Sequence, residues 1–285
     1  MTKLKKAEKS WVFYYFRSLN GLIGFTILAL LILGSLFALF HATPYDPVAQ
    51  DINSMLKPPS WHHIFGTDQY GRDDFSRVLD GVRRSLAVSF LSVSIAAFIG
   101  LVLGVFAGYF GGFFDTIVMR LSDVFFAFPA ILMALAIVSS LGHTWLDTAI
   151  AIAIVYTPIF VRVIRGPVLS LREMDYIKSA RVLGFSTPRV LFKHVLPNVV
   201  PIFLVQIALS LSWAILTESG LSFLGLGTQA PDASLGLMVS EAQSTAAFAW
   251  WTLVGPALAL VFAVVSLNLV GDGLRDSLDP TRRSV

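Results

Sequence analysis

Six stretches of the chain are long and apolar enough to cross a hydrocarbon layer, and this leaves few architectures open. They run Gly21–Phe40, Ser85–Phe110, Thr116–Leu141, Leu146–Val163, Val199–Leu221 and Phe248–Val270. In hydrocarbon every backbone N–H and C=O must be satisfied inside the spanning element. Runs of about 20 apolar residues therefore fold as helices. Charged residues are only 14% of the 285, and mean hydropathy is +0.74; a soluble domain of this length is excluded. The expected fold is all-α, a polytopic membrane protein with six transmembrane helices. The chain has no Cys, which excludes disulfides and thiolate metal sites. The basic segment Met1–Asn20 precedes a long apolar run and reads as the approach to a retained first span, not a cleaved signal.

Six spans put both termini on one side, and Lys and Arg choose that side. Lys3, Lys5, Lys6, Lys9 and Arg17 precede the first span. Seven basic residues, Arg162 to Lys193, follow the fourth, and Arg275, Arg282 and Arg283 end the chain. The opposite side carries only Lys57, Arg72, Arg77, Arg83 and Arg84, in a segment with six Asp. Both termini and the loop after the fourth span are therefore expected in the cytoplasm, with Arg83 and Arg84 as a mild violation. The chain divides into a cytoplasmic segment (1–20), a first transmembrane helix (21–40) and an extracytoplasmic segment (41–84). A five-helix core (85–270) follows, with a cytoplasmic loop at 164–198, and then a cytoplasmic tail (271–285).

Inside the spans a few residues stand out. Ala96, Gly100, Gly104 and Gly108 recur every fourth residue. Such a ridge lets another helix approach closely, either within the chain or in a neighbouring subunit. Pro129, Pro158 and Pro256 are expected to kink their helices. Arg120 and Asp123, three apart, are placed to pair as an interfacial anchor. Glu218 is the one acid of the fifth span; it either faces a path or holds the following loop.

The segment Ser170–Pro197 is charged between apolar spans. Ser170 and Glu173 have capping-box spacing, so a helix is expected to start there. Tyr176, Ile177, Ala180 and Leu183 give it an apolar edge. Gly184 suits a left-handed stop, Thr187 and Pro188 the N-cap and first position of a second short helix, and Pro197 its end. Arg172, Lys178, Arg181, Arg189 and Lys193 would face water. The segment resembles the EAA loop of ABC importer permeases, a Glu-Ala-Ala followed by Gly and then Leu-Pro. The matching positions are Lys178, Ser179, Ala180, Gly184, Leu196 and Pro197. Lys178 replaces the family's acid and Ser179 its first Ala. The resemblance implies an ATPase-coupling loop built from Tyr176, Ile177, Lys178, Ser179, Ala180, Arg181, Leu183, Gly184, Leu196 and Pro197.

Three further blocks narrow the family. Phe65-Gly-Thr-Asp-Gln-Tyr-Gly-Arg-Asp73, with Ser76-Arg77 and Gly81, is turn-rich: Gly66 and Gly71 permit tight turns, and Asp68, Arg72 and Asp73 can pair. With Thr67, these residues form an extracytoplasmic motif that is similar to the FGTD-x-x-GRD signature of the dipeptide, oligopeptide and nickel permease group. Leu221–Gly227, with Ser222, Phe223, Gly225 and Gly227, resembles that group's outer loop, and Asn268–Pro280 its C-terminal end. The short tail and the outer motif match its C-type subunit, with the type I importer permease fold. The resemblance implies a second homologous permease of the B type, two ABC ATPase subunits that bind ATP and Mg, and an extracytoplasmic solute-binding protein. It places the chain in the cell membrane of a prokaryote. No cofactor and no nucleic acid is expected for the chain itself.

No Gly-x-x-x-x-Gly-Lys-Ser/Thr, His-Glu-x-x-His or nucleophile elbow occurs in the sequence, so neither a P-loop nor a catalytic constellation is present. His62-His63 read as loop histidines, not a metal site. The expected role is a permease subunit of a peptide importer that does no chemistry. Nickel, glutathione or another peptide-like solute stays open as cargo. A self-sufficient secondary transporter is the rival class and should show internal repeats and mid-membrane charges.

Overall fold

The computed structural model describes residues 11–40, 42–142 and 144–278. Lys3, Lys5, Lys6, Lys9, Arg282, Arg283 and Pro280 lie outside them. A short helix α1 (Trp11–Arg17) leads into α2 (Leu19–Leu39), where the Ser18 hydroxyl accepts from Gly21 N–H as the N-cap. Next come α3 (Asp74–Phe110), α4 (Gly112–Phe126), α5 (Ala130–Leu141) and α6 (Trp145–Arg172). The short α7 (Asp175–Val182) and α8 (Thr187–Val190) precede α9 (Leu196–Phe223), α10 (Leu235–Ala242) and α11 (Trp251–Leu278). Among the described residues, five helical stretches are each long and apolar enough to cross a membrane, and six when α4 and α5 count as one broken span.

Several boundaries move for physical reasons. The second span begins at Asp74 rather than Ser85, because Asp73 caps the helix by accepting from Ser76 N–H. Arg83 and Arg84 therefore sit on a helix, where both pair with Asp80 and Arg84 also with Asp232; the violation of the charge rule is neutralised locally. The third span is not merely kinked at Pro129 but broken by 95° between α4 and α5. Proline disfavours helical geometry at Phe128 and supplies no N–H, so Pro129 serves as the N-cap of α5. The fourth span runs on to Arg172, through Pro158 and Pro167, and the sixth from Trp251 to Leu278. The loop after the fifth span contains α10.

The start of α2 and the last turns of α11 meet. A Cβ on Gly273 would lie 2.6 Å from Gly21 Cα and 2.9 Å from the Tyr15 ring. The start of α2 and the end of α11 thus share one end of the bundle. The end of α3 lies there too, since α3 runs back after α2 has crossed.

The ridge of small residues packs within the chain. Gly100, Gly104 and Gly108 all face α6, where a Cβ on Gly104 would stand 2.8 Å from Val161 O and 2.9 Å from Ile164 Cβ. A Cβ on Gly100 would meet Phe160, and one on Gly108 would meet Val168. Small residues give lipid-embedded helices the close dispersion contact that substitutes for a hydrophobic drive. Around this seam Val93, Ala96, Ile152, Tyr156 and Phe160 form the largest buried cluster.

Candidate functional site

At the end of the bundle where α2 starts and α11 finishes, α7 lies across the ends of α3 and α6. Ile177 and Ala180 are its buried face, packed with Val105 and Tyr109 of α3, Ile164 and Val168 of α6, and Val190 and Val195. The Arg181 guanidinium donates to the Tyr109 hydroxyl at 3.1 Å and lies 4.6 Å above that ring. Arg172 Nη1 donates to Gly108 O at 3.2 Å, satisfying a carbonyl at the end of α3. The expected apolar edge is only half right, for Tyr176 and Leu183 point away from the bundle. At the far tip Val182 is 88% and Leu183 75% exposed.

The start of α7 differs from the expected capping box. Glu173 is the C-cap of α6, and α7 begins after Met174 with no side-chain cap. Ser170 is spent inside α6. Glu173 instead takes the Lys178 ammonium at 3.3 Å and the Arg172 guanidinium at 3.1 Å. Those two cations, Lys178 first, hold its carboxyl below the ordinary range. Lys178, at the family's acidic position, is thus paired within the loop, and Ser179 is exposed.

Gly184 closes α7 as expected. Its φ is +78°. Its N–H donates to Arg181 O at 3.0 Å, and Phe185 N–H donates to Ala180 O at 3.1 Å, a complete Schellman motif. Ser186, not Thr187, is the next N-cap, and Pro188 is the second residue of α8. Pro197 does not end that helix. The chain passes through a π turn at Leu191–Val195, where Leu196 N–H donates to Leu191 O, and continues into α9. The wider turn takes up the register that Pro197 breaks, since Pro197 has no N–H to return to Lys193. Leu196 and Pro197 therefore start the fifth span and tie it rigidly to α8.

A second arrangement occupies the opposite end. Gly71 has φ +74°, and a Cβ there would run into Asp51 O, so the motif turns tightly against the preceding loop. Asp51 caps the turn Ile52–Ser54, and the Ser54 hydroxyl and Asn53 N–H hold its carboxyl below the ordinary range. Thr67 is buried and its hydroxyl donates to Ser54 O. Among the described residues, Arg72 and Arg77 are the largest fully buried side chains. Arg72 Nε donates to Asp68 Oδ2 at 2.6 Å, and Arg72 Nη2 and Arg77 Nη2 each donate to Glu241 Oε2 at 2.9 Å. Asp68 and Arg72 pair as expected; Asp73 instead caps α3 and bonds His63 Nδ1 at 2.9 Å. The clasp to Glu241 of α10 has no local signal, because 164 residues separate Arg77 from Glu241. His63 is a structural partner of Asp73, in line with the loop reading.

Glu218 holds the loop between α9 and α10. Glu218 is 1% exposed and accepts from the Ser222 hydroxyl at 2.8 Å and the Ser219 hydroxyl at 3.3 Å. Thr228 N–H donates to Ser222 Oγ at 3.2 Å. Gly225 (φ +77°) ends α9 by the same Schellman pattern as Gly184, Gly227 lies against Ser222, and Phe223 is exposed. The Arg120–Asp123 pair does not form. Asp123 takes Arg162 of α6 at 2.7 Å, and Asp115 takes Arg165, two ties that fasten α4 to α6.

The family described as the inner membrane component of binding-protein-dependent transport systems matches residues 100–284. Among curated relatives, a dipeptide transport system permease of Alkalihalophilus pseudofirmus is 41% identical over 265 residues, 93% of this chain and 86% of that protein. A di/tripeptide transport system permease of Pseudomonas aeruginosa is 41% identical over 267 residues, 92% of this chain and 88% of that protein. A glutathione transport system permease of Escherichia coli is 44% identical over 252 residues, 88% and 83% of the two chains. Among solved structures, a chain of the inward-facing MetNI methionine ABC transporter superposes with a TM-score of 0.56. At 16% identity, covering 71% of this chain and 96% of that one, the likeness concerns the fold.

Proposed function

Because the chain belongs to the family of inner membrane components of binding-protein-dependent transport systems, and so is a multi-pass permease of the ABC importer class, we propose that it serves an ATP-driven importer of di- and oligopeptides, lining half of the path and docking an ATPase subunit through α7. The observation that carries the docking is the two-sided build of α7. Ile177 and Ala180 anchor it to α3 and α6, while Val182 and Leu183 project from its tip at 88% and 75% exposure. An apolar tip next to the basic residues Arg181 and Arg189 suits a cleft on a soluble partner better than it suits water. The peptide class follows the dipeptide and tripeptide relatives, and a glutathione relative shares the same amide-rich chemistry.

On this reading the end of the bundle that bears α7 is cytoplasmic, as the distribution of Lys and Arg favours. A second homologous permease completes the path, two ATPase subunits bind ATP and Mg, and an extracytoplasmic solute-binding protein delivers cargo to the end bearing the Arg72–Glu241 clasp. This chain contributes no catalytic group. α7 and α9 would act as one lever, since the π turn carries motion at Gly184–Pro188 into the fifth span. The test is reconstitution. With its partner permease, the ATPases and the binding protein, the complex should take up radiolabelled dipeptide in an ATP-dependent way, with hydrolysis stimulated by loaded binding protein. Stimulated hydrolysis without uptake of any peptide would remove the peptide assignment and keep the importer. Uptake by this chain alone, driven by an ion gradient, would remove the importer reading.

A further inference from the structure

We propose that Arg162, where α6 passes the break between α4 and α5, holds the C-terminal carboxylate of a peptide on its way through the membrane. This rests on the peptide-importer reading above. Arg162 Nη2 donates to Asp123 Oδ1 at 2.7 Å, and its guanidinium lies 4.2 Å above the ring of Phe126, the last residue of α4. Val161, next to Arg162, packs on Gly104, about 9 Å inside the end of α3 at Phe110. Asp123 lies about 16 Å along α4 from Gly112. The pair is thus at the depth of the apolar helices. A charge there is costly against lipid and belongs in a bundle interior or against water. The two side chains are not in the interior, for they are 48% and 51% exposed. The side of the fold that they occupy therefore faces water.

The surroundings separate a wet face from a lipid face. Along α4, Thr116, Arg120 and Asp123 follow i, i+4, i+7 spacing on one side, and Ile117, Leu121 and Val124 are exposed on another. Gly166, one turn from Arg162 on α6, is exposed, and no atom lies within 4 Å of a Cβ built there. A single bond joins the pair, which leaves Nε and Nη1 of Arg162 to donate elsewhere. Asp115 and Arg165 balance each other. Arg120 is exposed and has no ion pair among the described residues, so two cations stand against the one acid Asp123. The surplus charge selects an anion. A peptide carries one at its C-terminus, and a planar carboxylate fits the guanidinium fork. A second permease seated directly on this face would have to bury the surplus, whereas cargo brings its own counter-charge. Asp123 competes with cargo for Arg162 and so keeps the hold brief, as passage requires.

Two measurements test this on the assembled importer in proteoliposomes. Gly166→Cys puts a single thiol in open space one turn from Arg162, since the chain has no other Cys. It should react with water-soluble sulfonate and ammonium methanethiosulfonates. Arg162→Gln in that background should lower the sulfonate-to-ammonium rate ratio by roughly tenfold. No reaction, which means that lipid or the second permease covers the face, overturns the site, and so does an unchanged ratio. Uptake of radiolabelled dipeptide should fall roughly tenfold in Arg162→Gln, the worth of one charge-assisted hydrogen bond. Asp123→Asn breaks the same tie but keeps the cation, and should cost no more than about threefold. Equal losses in the two variants would leave the pair a tie between α4 and α6 and nothing more. A wild-type complex that imports no peptide removes the peptide assignment and this ligand with it. An unreactive thiol in a complex that does import peptide removes this site alone.

Discussion

Replacing Gly184 by Val isolates the backbone turn that sets the direction of α7. No atom lies within 4 Å of a Cβ built on Gly184, so the substitution meets no steric wall. The cost comes from the backbone alone, at φ +78°. A non-glycine residue in the left-handed region costs about 1–3 kcal/mol, and a β-branched one falls at the upper end. That free energy lowers the population of the Schellman turn by roughly 5- to 150-fold relative to open forms. The residues around it, 181–189, are all exposed, so the membrane helices and insertion should be unaffected. In the reconstituted importer, Gly184→Val should therefore lose uptake and substrate-stimulated ATP hydrolysis together, with normal yield of the chain in membranes. Gly184→Asn should retain most of both, because Asn tolerates the left-handed region. Lys178→Ala, which only frees Glu173, should matter less than Gly184→Val. Wild-type coupling in Gly184→Val would remove the turn from the mechanism and leave the segment a plain hairpin.

Gly104→Leu drives a side chain into Val161 O and Ile164 Cβ, 2.8 and 2.9 Å from the Cβ position, and should cost about 1–3 kcal/mol, read as a lower thermal midpoint in detergent. Glu241→Ala leaves Arg72 and Arg77 buried with Asp68 as their remaining close acid; the loss should reach about 3 kcal/mol, with early protease cleavage between α10 and α11, and Glu241→Gln should fall between it and wild type. Single Cys residues at Ser60 and Gln229, both exposed, should react with an impermeant thiol reagent from outside intact cells, whereas Thr228 is buried and should not. The purified chain, free of other subunits, should neither bind nor hydrolyse ATP in a nucleotide-binding assay.

The helical membrane class and the span count were legible because hydrocarbon leaves a chain no other option, and hydropathy alone carries that constraint. The Gly184 turn was legible because a local motif needs only local residues. What escaped reading depends on partners distant in sequence or on competition between neighbours. Glu241 looks like an ordinary loop acid until the fold brings it to Arg72 and Arg77. Asp123 has Arg120 three residues away, yet Arg162 wins it, because the ridge of small residues locks α6 to α3 and α4 folds back beside that pair. Ser170 and Glu173 have the spacing of a capping box, but α6 already runs through Ser170. Pro197 looked like a stop, and the π turn shows how a helix passes a proline by widening one turn. The break at Pro129 was foreseeable in place though not in size, since its angle depends on how α5 packs against α6.

Whether the tip of α7 enters a cleft on an ATPase subunit can be measured by cross-linking, because the chain has no Cys of its own. Val182→Cys and Leu183→Cys place single thiols at the most exposed points of the tip, and Trp61→Cys places one at the opposite end of the bundle. The assembled importer is treated with a short bifunctional cysteine-to-lysine reagent, and the products are resolved by mass. Positions 182 and 183 should give a covalent adduct of this chain with the ATPase subunit, and position 61 none. An ATPase adduct from position 61, with none from 182 or 183, would contradict docking by the tip.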